Sequence, residues 1–224
     1  MENNVLTNTP NRVVVKSSRI VWILLVILLA PVVVYYLYTR GIVYFKFSKN
    51  VYTDYFWFRA PWLLAHVTLG ITVTLIGPLQ FIPALRIRKP QLHRNLGKVY
   101  LVCILVSTLV SFYLVSTSML GMVYAVGLAM LGVVWLGSSC MAYIAIRKKN
   151  IAMHREWMIK SYVITLAFVV NRVVEDVLAK ANVGNFIDRK VLMAWACWAI
   201  PFFMTEVVLQ CRRLYNKQKP FTTL

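Results

Sequence analysis

The stretch VYLVCILVSTLVSFYLVSTSMLGMVYAVGLAMLGVVWLGSSCMAYIAI, residues 99–146, contains no Asp, Glu, Lys or Arg. A helix crosses a bilayer core in about 20 apolar residues. This run of about 48 residues therefore supplies two crossings in succession, with 116–121 as the natural turn between them.

The rest of the chain extends the pattern. Residues 20–38 carry no charge, and residues 60–85 have only His66 and Gln80 as strongly polar groups. Residues 157–178 and 191–211 complete the set, the former containing Arg172, Glu175 and Asp176 near its end. The fold class is all-α: a polytopic transmembrane bundle of about six helices. A composition 60% hydrophobic and 14% charged excludes a soluble domain with an ordinary polar surface.

Of the 25 Lys and Arg residues, 17 fall on one side of such a bundle: the N-terminus, the second and fourth loops and the tail. Short cationic loops are translocated poorly, so that side is expected to be cytoplasmic, with both termini inside. The net charge of +18 is spread over loop ends rather than gathered on one soluble face. It reads as topology determinants that also contact anionic lipid headgroups, not as a nucleic-acid surface. The first apolar run ends in Tyr35, Tyr36, Leu37, Tyr38, Thr39 and Arg40 with no small-residue cleavage pattern, so it is expected to remain as a helix. Cys103, Cys140, Cys197 and Cys211 are far apart and form no CxxC pair, which points to neither disulfides nor zinc.

Four segments are expected: a cytoplasmic arm at 1–18, an anchor helix at 19–39, a five-helix bundle at 60–211 and a basic tail at 212–224. Between the first two helices, Tyr52, Tyr55, Phe56, Trp57 and Phe58 surround Asp54. Aromatics at that density beside a span favour the headgroup region. Pro78 and Pro83 predict a kink or early unwinding of the second helix. Gly70, Thr74 and Gly77 on that helix, and Gly121, Ala125, Ala129 and Gly132 on the fourth, predict close helix contact. Hydroxyls of Ser107 and Ser111 are expected to return to their own helix backbone.

Ionisable groups inside a membrane are costly and therefore mark candidate sites. One cluster sits at the cytoplasmic end: His93, Arg94, His154 and Arg155, with Gln80 and Glu206 at matching helix ends. For Glu206 the candidate partners are Arg94, Arg155 and Arg212. The other cluster, toward the outer side, comprises His66, Arg172, Glu175 and Asp176. His93 and His154 are candidate axial ligands for haem b, with Arg94 and Arg155 as partners for its propionates. The competing reading makes each His-Arg pair an interfacial cap on lipid phosphate or a loop carbonyl. The outer cluster could form a pocket for a quinone, a small anion or a proton path, or an ion pair holding the fifth helix against the second. His93-Arg94 and His154-Arg155 are each followed by Lys and Tyr at similar spacing, a faint sign of duplicated two-helix units. No nucleophile-base pair or phosphate loop gives a hydrolase or ATPase reading, and no catalytic residue is assigned.

The segments 66–70, 77–81, 93–101 and 154–162, then Asn171 and Arg172, together resemble the bacterial membrane family known as domain of unknown function 2306. The resemblance covers about residues 60–210. It implies a compact helical bundle in a bacterial inner membrane and carries no established activity. The His-Arg-x-x-Gly element also looks like one in haem-bearing transmembrane reductases, which carry further in-helix histidines absent here. The expected function is a haem-b-binding or quinone-linked redox component. A proton-coupled or small-molecule transporter and a membrane scaffold are the alternatives, with a membrane-protein partner or a homo-oligomer as candidate company.

Overall fold

The computed structural model describes residues 29–217. The expected arm at 1–18, the first part of the 19–39 anchor and the tail from 218 onward lie outside the described residues, as do the side chains of Asp54, Tyr55 and Phe56. Residues 29–36 are helical and pass into a π turn, Leu37–Gly41, and a 3-10 turn, Ile42–Lys46. Helix α1 (Lys49–Trp57) follows. Tyr52 anchors this aromatic segment: it is fully buried, its hydroxyl donates to the Tyr44 carbonyl at 2.7 Å, and Tyr44 and Phe47 meet it edge-on.

Among the described residues, four helices are long and apolar enough to cross a membrane: α2 (Ala60–Gln80), α4 (Pro90–Ser116), α5 (Met122–Arg147) and α8 (Phe186–Lys217). Their lengths follow from local chemistry. Pro61, Pro83 and Pro90 each stand at a helix start, where the missing N–H has no intrahelical partner to lose. Pro78 is tolerated within α2, while Pro83 opens the short α3 (Pro83–Arg88), so the second crossing stops at Gln80 rather than at residue 85. The turn anticipated at 116–121 is present, and Gly121 takes φ +87°, which only glycine adopts without strain.

The fifth expected crossing, at 157–178, is not one helix. It is split at Leu166 into α6 (Ile151–Thr165) and α7 (Ala167–Lys180). The Thr165 hydroxyl donates to the Ser161 carbonyl at 3.0 Å, and the Leu166 N–H is shared between the Tyr162 and Val163 carbonyls, both at 3.2 Å. A hydroxyl competing for helix carbonyls at a tightened turn is a sufficient local cause of the break.

Helices α2, α4, α5 and α6 form a four-helix group. Helix α4 packs against α2 and α5, and α6 packs against α5 and, less closely, α2. The backbones of α4 and α6 do not touch, so these two stand diagonally and meet only through side chains. Between the four lies a core of Val73, Tyr100, Ile104, Trp135, Met158 and Ile164. Helix α8 packs against α5, α6 and α7 and builds a second core with Ala167, Met193, Cys197 and Trp198.

The outward faces stay apolar: Leu75, Val102, Leu109, Ile200 and Phe203 are all exposed. Lipid tails are as apolar as these side chains, so cohesion comes from close packing and interhelical hydrogen bonds. A Cβ on Gly77 would stand 2.1 Å from the Tyr162 ring, and one on Gly127 would stand 2.7 Å from Trp195 Nε1. The stripe expected on α5 is only partly used this way. Gly132 packs tightly on Phe112 and Thr108, whereas Gly121, Ala125 and Ala129 border an open groove of about 350 Å³.

Candidate functional site

His93 and His154 occupy the same place in their helices, each the fourth residue, with its N–H bonded to the residue that precedes the helix. Because α4 begins at Pro90, well before the apolar run, His93 is held on a rigid helix rather than in a loop. Asn150 fixes the start of α6 by accepting the Met153 N–H at 3.0 Å. The two histidines come from diagonal helices at one end of the four-helix group.

The Nδ1 atom of His154 lies 2.8 Å from the Ala142 carbonyl. A carbonyl can only accept, so Nδ1 carries the proton and Nε2 of the neutral ring keeps its lone pair. A metal-ligating histidine is commonly oriented in this way. His93 Nδ1 is buried with no hydrogen-bond partner, and so is the amide nitrogen of Gln80, a residue only 7% exposed. Gln80 lies against Gly97, one turn above His93, where a Cβ would stand at van der Waals contact, 3.4 Å from Gln80 Oε1. Arg94 and Arg155 are exposed at the same end. This end of the bundle thus holds one histidine with a free Nε2, His154, and two buried side-chain nitrogens without a partner, His93 Nδ1 and Gln80 Nε2.

Beneath this end, a buried hydroxyl network joins three helices. Tyr100 on α4 meets Ser161 Oγ at 3.0 Å and Thr165 Oγ1 at 3.3 Å on α6. Ser139 on α5 lies 2.8 Å from Ser161 Oγ, and the Trp135 indole N–H donates to Thr165 Oγ1 at 3.0 Å. All five residues are buried. Ser139 and Trp135 carried no signal in the sequence, because a serine in an apolar run ordinarily returns its proton to its own helix.

The outer polar cluster does not come together as expected. His66 pairs with α4 instead: its Nδ1 lies 2.9 Å from Ser107 Oγ and 3.2 Å from the Ser107 carbonyl oxygen. The Ser107 hydroxyl therefore meets His66 and not its own backbone, contrary to expectation, while Ser111 does return to Thr108. Arg172 pairs with Glu175 at 3.5 Å, and Glu175 also takes Lys190 of α8 at 2.6 Å. Asp176 binds Arg40 at 3.3 Å and accepts from Tyr36 at 2.9 Å. Helices α2 and α7 make no direct backbone contact, so these charges tie α7 to α8 and to the first helical segment, not to α2. The reason is topological: α4 supplies the neighbour of His66 before α7 can reach it.

Glu206 also finds a different partner. Lys160, not Arg94, Arg155 or Arg212, lies 2.5 Å from it, and Gln210 donates to its other oxygen at 2.7 Å. Lys160 is only 7% exposed. It stands inside the apolar stretch 157–178, where a charged side chain marks a candidate site. Glu156 pairs with Arg213 of α8. Among the described residues no group of three or more His, Cys, Asp and Glu side chains converges on a metal position.

Several apolar crossing helices around a buried polar centre define a polytopic helical membrane protein. The chain belongs to the family described as predicted membrane protein DUF2306, whose model matches residues 63–209. The match covers all of α4 to α7 and most of α2 and α8, and leaves the first helical segment and α1 outside it. No curated protein and no solved structure matches the chain.

Proposed function

We propose that this protein is a haem-b-binding electron-transfer component of the bacterial cytoplasmic membrane, with its basic loop ends facing inward. The observation that carries the reading is the placement of His93 and His154. They stand at equivalent positions of diagonal helices, at one end of the bundle, with His154 oriented by the Ala142 carbonyl and His93 Nδ1 buried without a partner. Bound haem would supply reversible one-electron chemistry at iron. The chain's own residues would hold it: His93 and His154 as ligands to its iron, Arg94 and Arg155 as partners for its carboxylates, and Gln80 as a hydrogen-bond donor. The apolar core of Val73, Ile104 and Met158 would keep water from the site.

The test is a visible spectrum of the detergent-purified full chain, expressed with haem precursor, before and after dithionite. A stoichiometric Soret band with a sharp reduced α band is expected, lost in His93→Ala and His154→Ala and retained in His66→Ala. A featureless spectrum from folded protein expressed with ample haem precursor would sink the proposal.

A second reading rests on the break at Leu166. Discontinuous helices with buried polar groups at the break are a recurrent feature of transporters, and here the break adjoins the network of Tyr100, Ser161 and Thr165. Reconstituted vesicles with an internal pH dye would show a proton-linked flux that Tyr100→Phe diminishes. Identical traces for the variant and the wild type would count against it.

A further inference from the structure

At the basic end, α6 and α8 diverge around a cavity of about 560 Å³. Its apolar wall is Met153 and Trp157, and its charged lining is Glu156, Lys160, Glu206 and Arg213. The charges form two rungs across the gap: Glu156 with Arg213 near the helix ends, and Lys160 with Glu206 deeper. The signs alternate, since α6 presents an acid and then a base while α8 presents the base outermost and the acid below. Four residues on α6 and seven on α8 separate the rungs, roughly 6 Å and 10 Å along the axes at about 1.5 Å per residue. The cavity thus offers two cations and two anions, with no net charge, at the depth where lipid headgroups meet the core.

We propose that this cavity binds the head of a zwitterionic phospholipid bearing a primary ammonium, that is, a phosphatidylethanolamine. The ion pairs need not break to admit it. An ammonium has three donors and a guanidinium five, while each carboxylate has about four acceptor sites, so each partner keeps free capacity. A phosphate takes the spare donors of Arg213 and Lys160, and the lipid ammonium donates to Glu156 and Glu206. Charge-assisted bonds of both signs are then made by one head. An anionic head such as phosphatidylglycerol would meet the two cations but leave the site with one uncompensated negative charge, and it has no ammonium to donate to Glu156 and Glu206. A choline head has no N–H to donate, and the aromatic face that would otherwise attract it is already occupied: Lys160 Nζ sits 4.2 Å from the centre of the Trp157 ring. The acyl chains would leave along Met153 and Trp157 into the bilayer. Lys160 is held nearly buried by Trp157 and Glu206, so the deeper rung is pre-formed.

This inference is independent of haem, since neither His93 nor His154 lines the cavity. It is tested by native mass spectrometry of the delipidated full chain in detergent, titrated in parallel with phosphatidylethanolamine, phosphatidylcholine and phosphatidylglycerol. One phosphatidylethanolamine is expected to be retained at about tenfold lower concentration than either other lipid, the scale set by losing one charge-assisted hydrogen bond. Glu206→Gln and Lys160→Met should abolish that preference. Glu156→Gln, at the more accessible rung, provides a variant whose folding does not depend on the buried lysine, and it should weaken the preference while eluting as wild type on gel filtration. Equal retention of the three lipids, stronger retention of phosphatidylglycerol, or a preference unchanged in all three variants would overturn the proposal. So would displacement by free phosphoethanolamine at the lipid's own concentration, because the site would then be one for a soluble head.

Discussion

Replacing Gly77 by alanine adds one methyl group, and the structure says where that methyl must go. A Cβ at this position would lie 2.1 Å from Tyr162 Cε2 and 2.3 Å from Cδ2. Carbon atoms prefer about 3.5–4.0 Å, so the ring must retreat by more than about 1 Å. It has little room to do so. Its hydroxyl donates to the Thr74 carbonyl at 3.2 Å, and its ring packs on Phe81 with centroids 5.9 Å apart. Overpacking of this kind costs about 1–3 kcal/mol, and an interhelical hydrogen bond lost within a membrane adds about 0.6 kcal/mol. Alanine returns about 1 kcal/mol through helix propensity. The net destabilisation is roughly 0.6–2.6 kcal/mol, a factor of about 3 to 80 in the folding equilibrium. Gly70, two turns earlier on the same helix, is the internal control: a Cβ there meets nothing within 4 Å, so Gly70→Ala should be neutral or stabilise by up to about 1 kcal/mol. Thermal or denaturant unfolding in one detergent, followed by tryptophan fluorescence, measures both variants. If Gly77→Ala unfolds at or above the wild-type midpoint, or if Gly70→Ala is the more damaging change, the packing of α2 on α6 is not as described here.

Tyr100→Phe removes one hydroxyl from Ser161 and Thr165 while keeping the ring, and should cost about 1 kcal/mol in the same unfolding assay; a loss above about 3 kcal/mol would mean that the network carries more than its bonds. Asn150→Ala deletes the cap on Met153 N–H at the start of α6; about 1 kcal/mol should be lost, with hydrogen exchange rising first at 151–154, and unchanged exchange there would refute the capping role. Lys160→Met strands Glu206, which is 36% exposed in its side chain, so the loss should fall below the 3–5 kcal/mol of a fully buried pair, at about 1–3 kcal/mol. Adding Glu206→Leu should restore most of that stability, and a double variant no better than the single one would show that the pair does not act as a unit.

Residues 99–146 determined the membrane class and two crossings by themselves, because a charge-free run of that length has only one comfortable solvent. Gly121, Pro83 and Pro90 likewise set a turn and two helix starts through backbone constraints that act locally. That His93 and His154 each stand near the start of a helix followed from their place ahead of apolar runs, and alternating crossings bring the starts of alternate helices to the same side. Which polar group meets which was decided only by the tertiary structure. Ser107 faces His66, Lys160 takes Glu206, and Glu175 turns to Lys190. A side chain in lipid must find its partner on whichever helix happens to be adjacent, and adjacency depends on packing order and rotation about each helix axis. Hydropathy encodes neither. The break at Leu166 shows the same division: Thr165 and Ser161 were visible in the sequence, but their hydroxyls compete with the helix backbone at a point where Tyr100 and Trp135, from two other helices, converge on them.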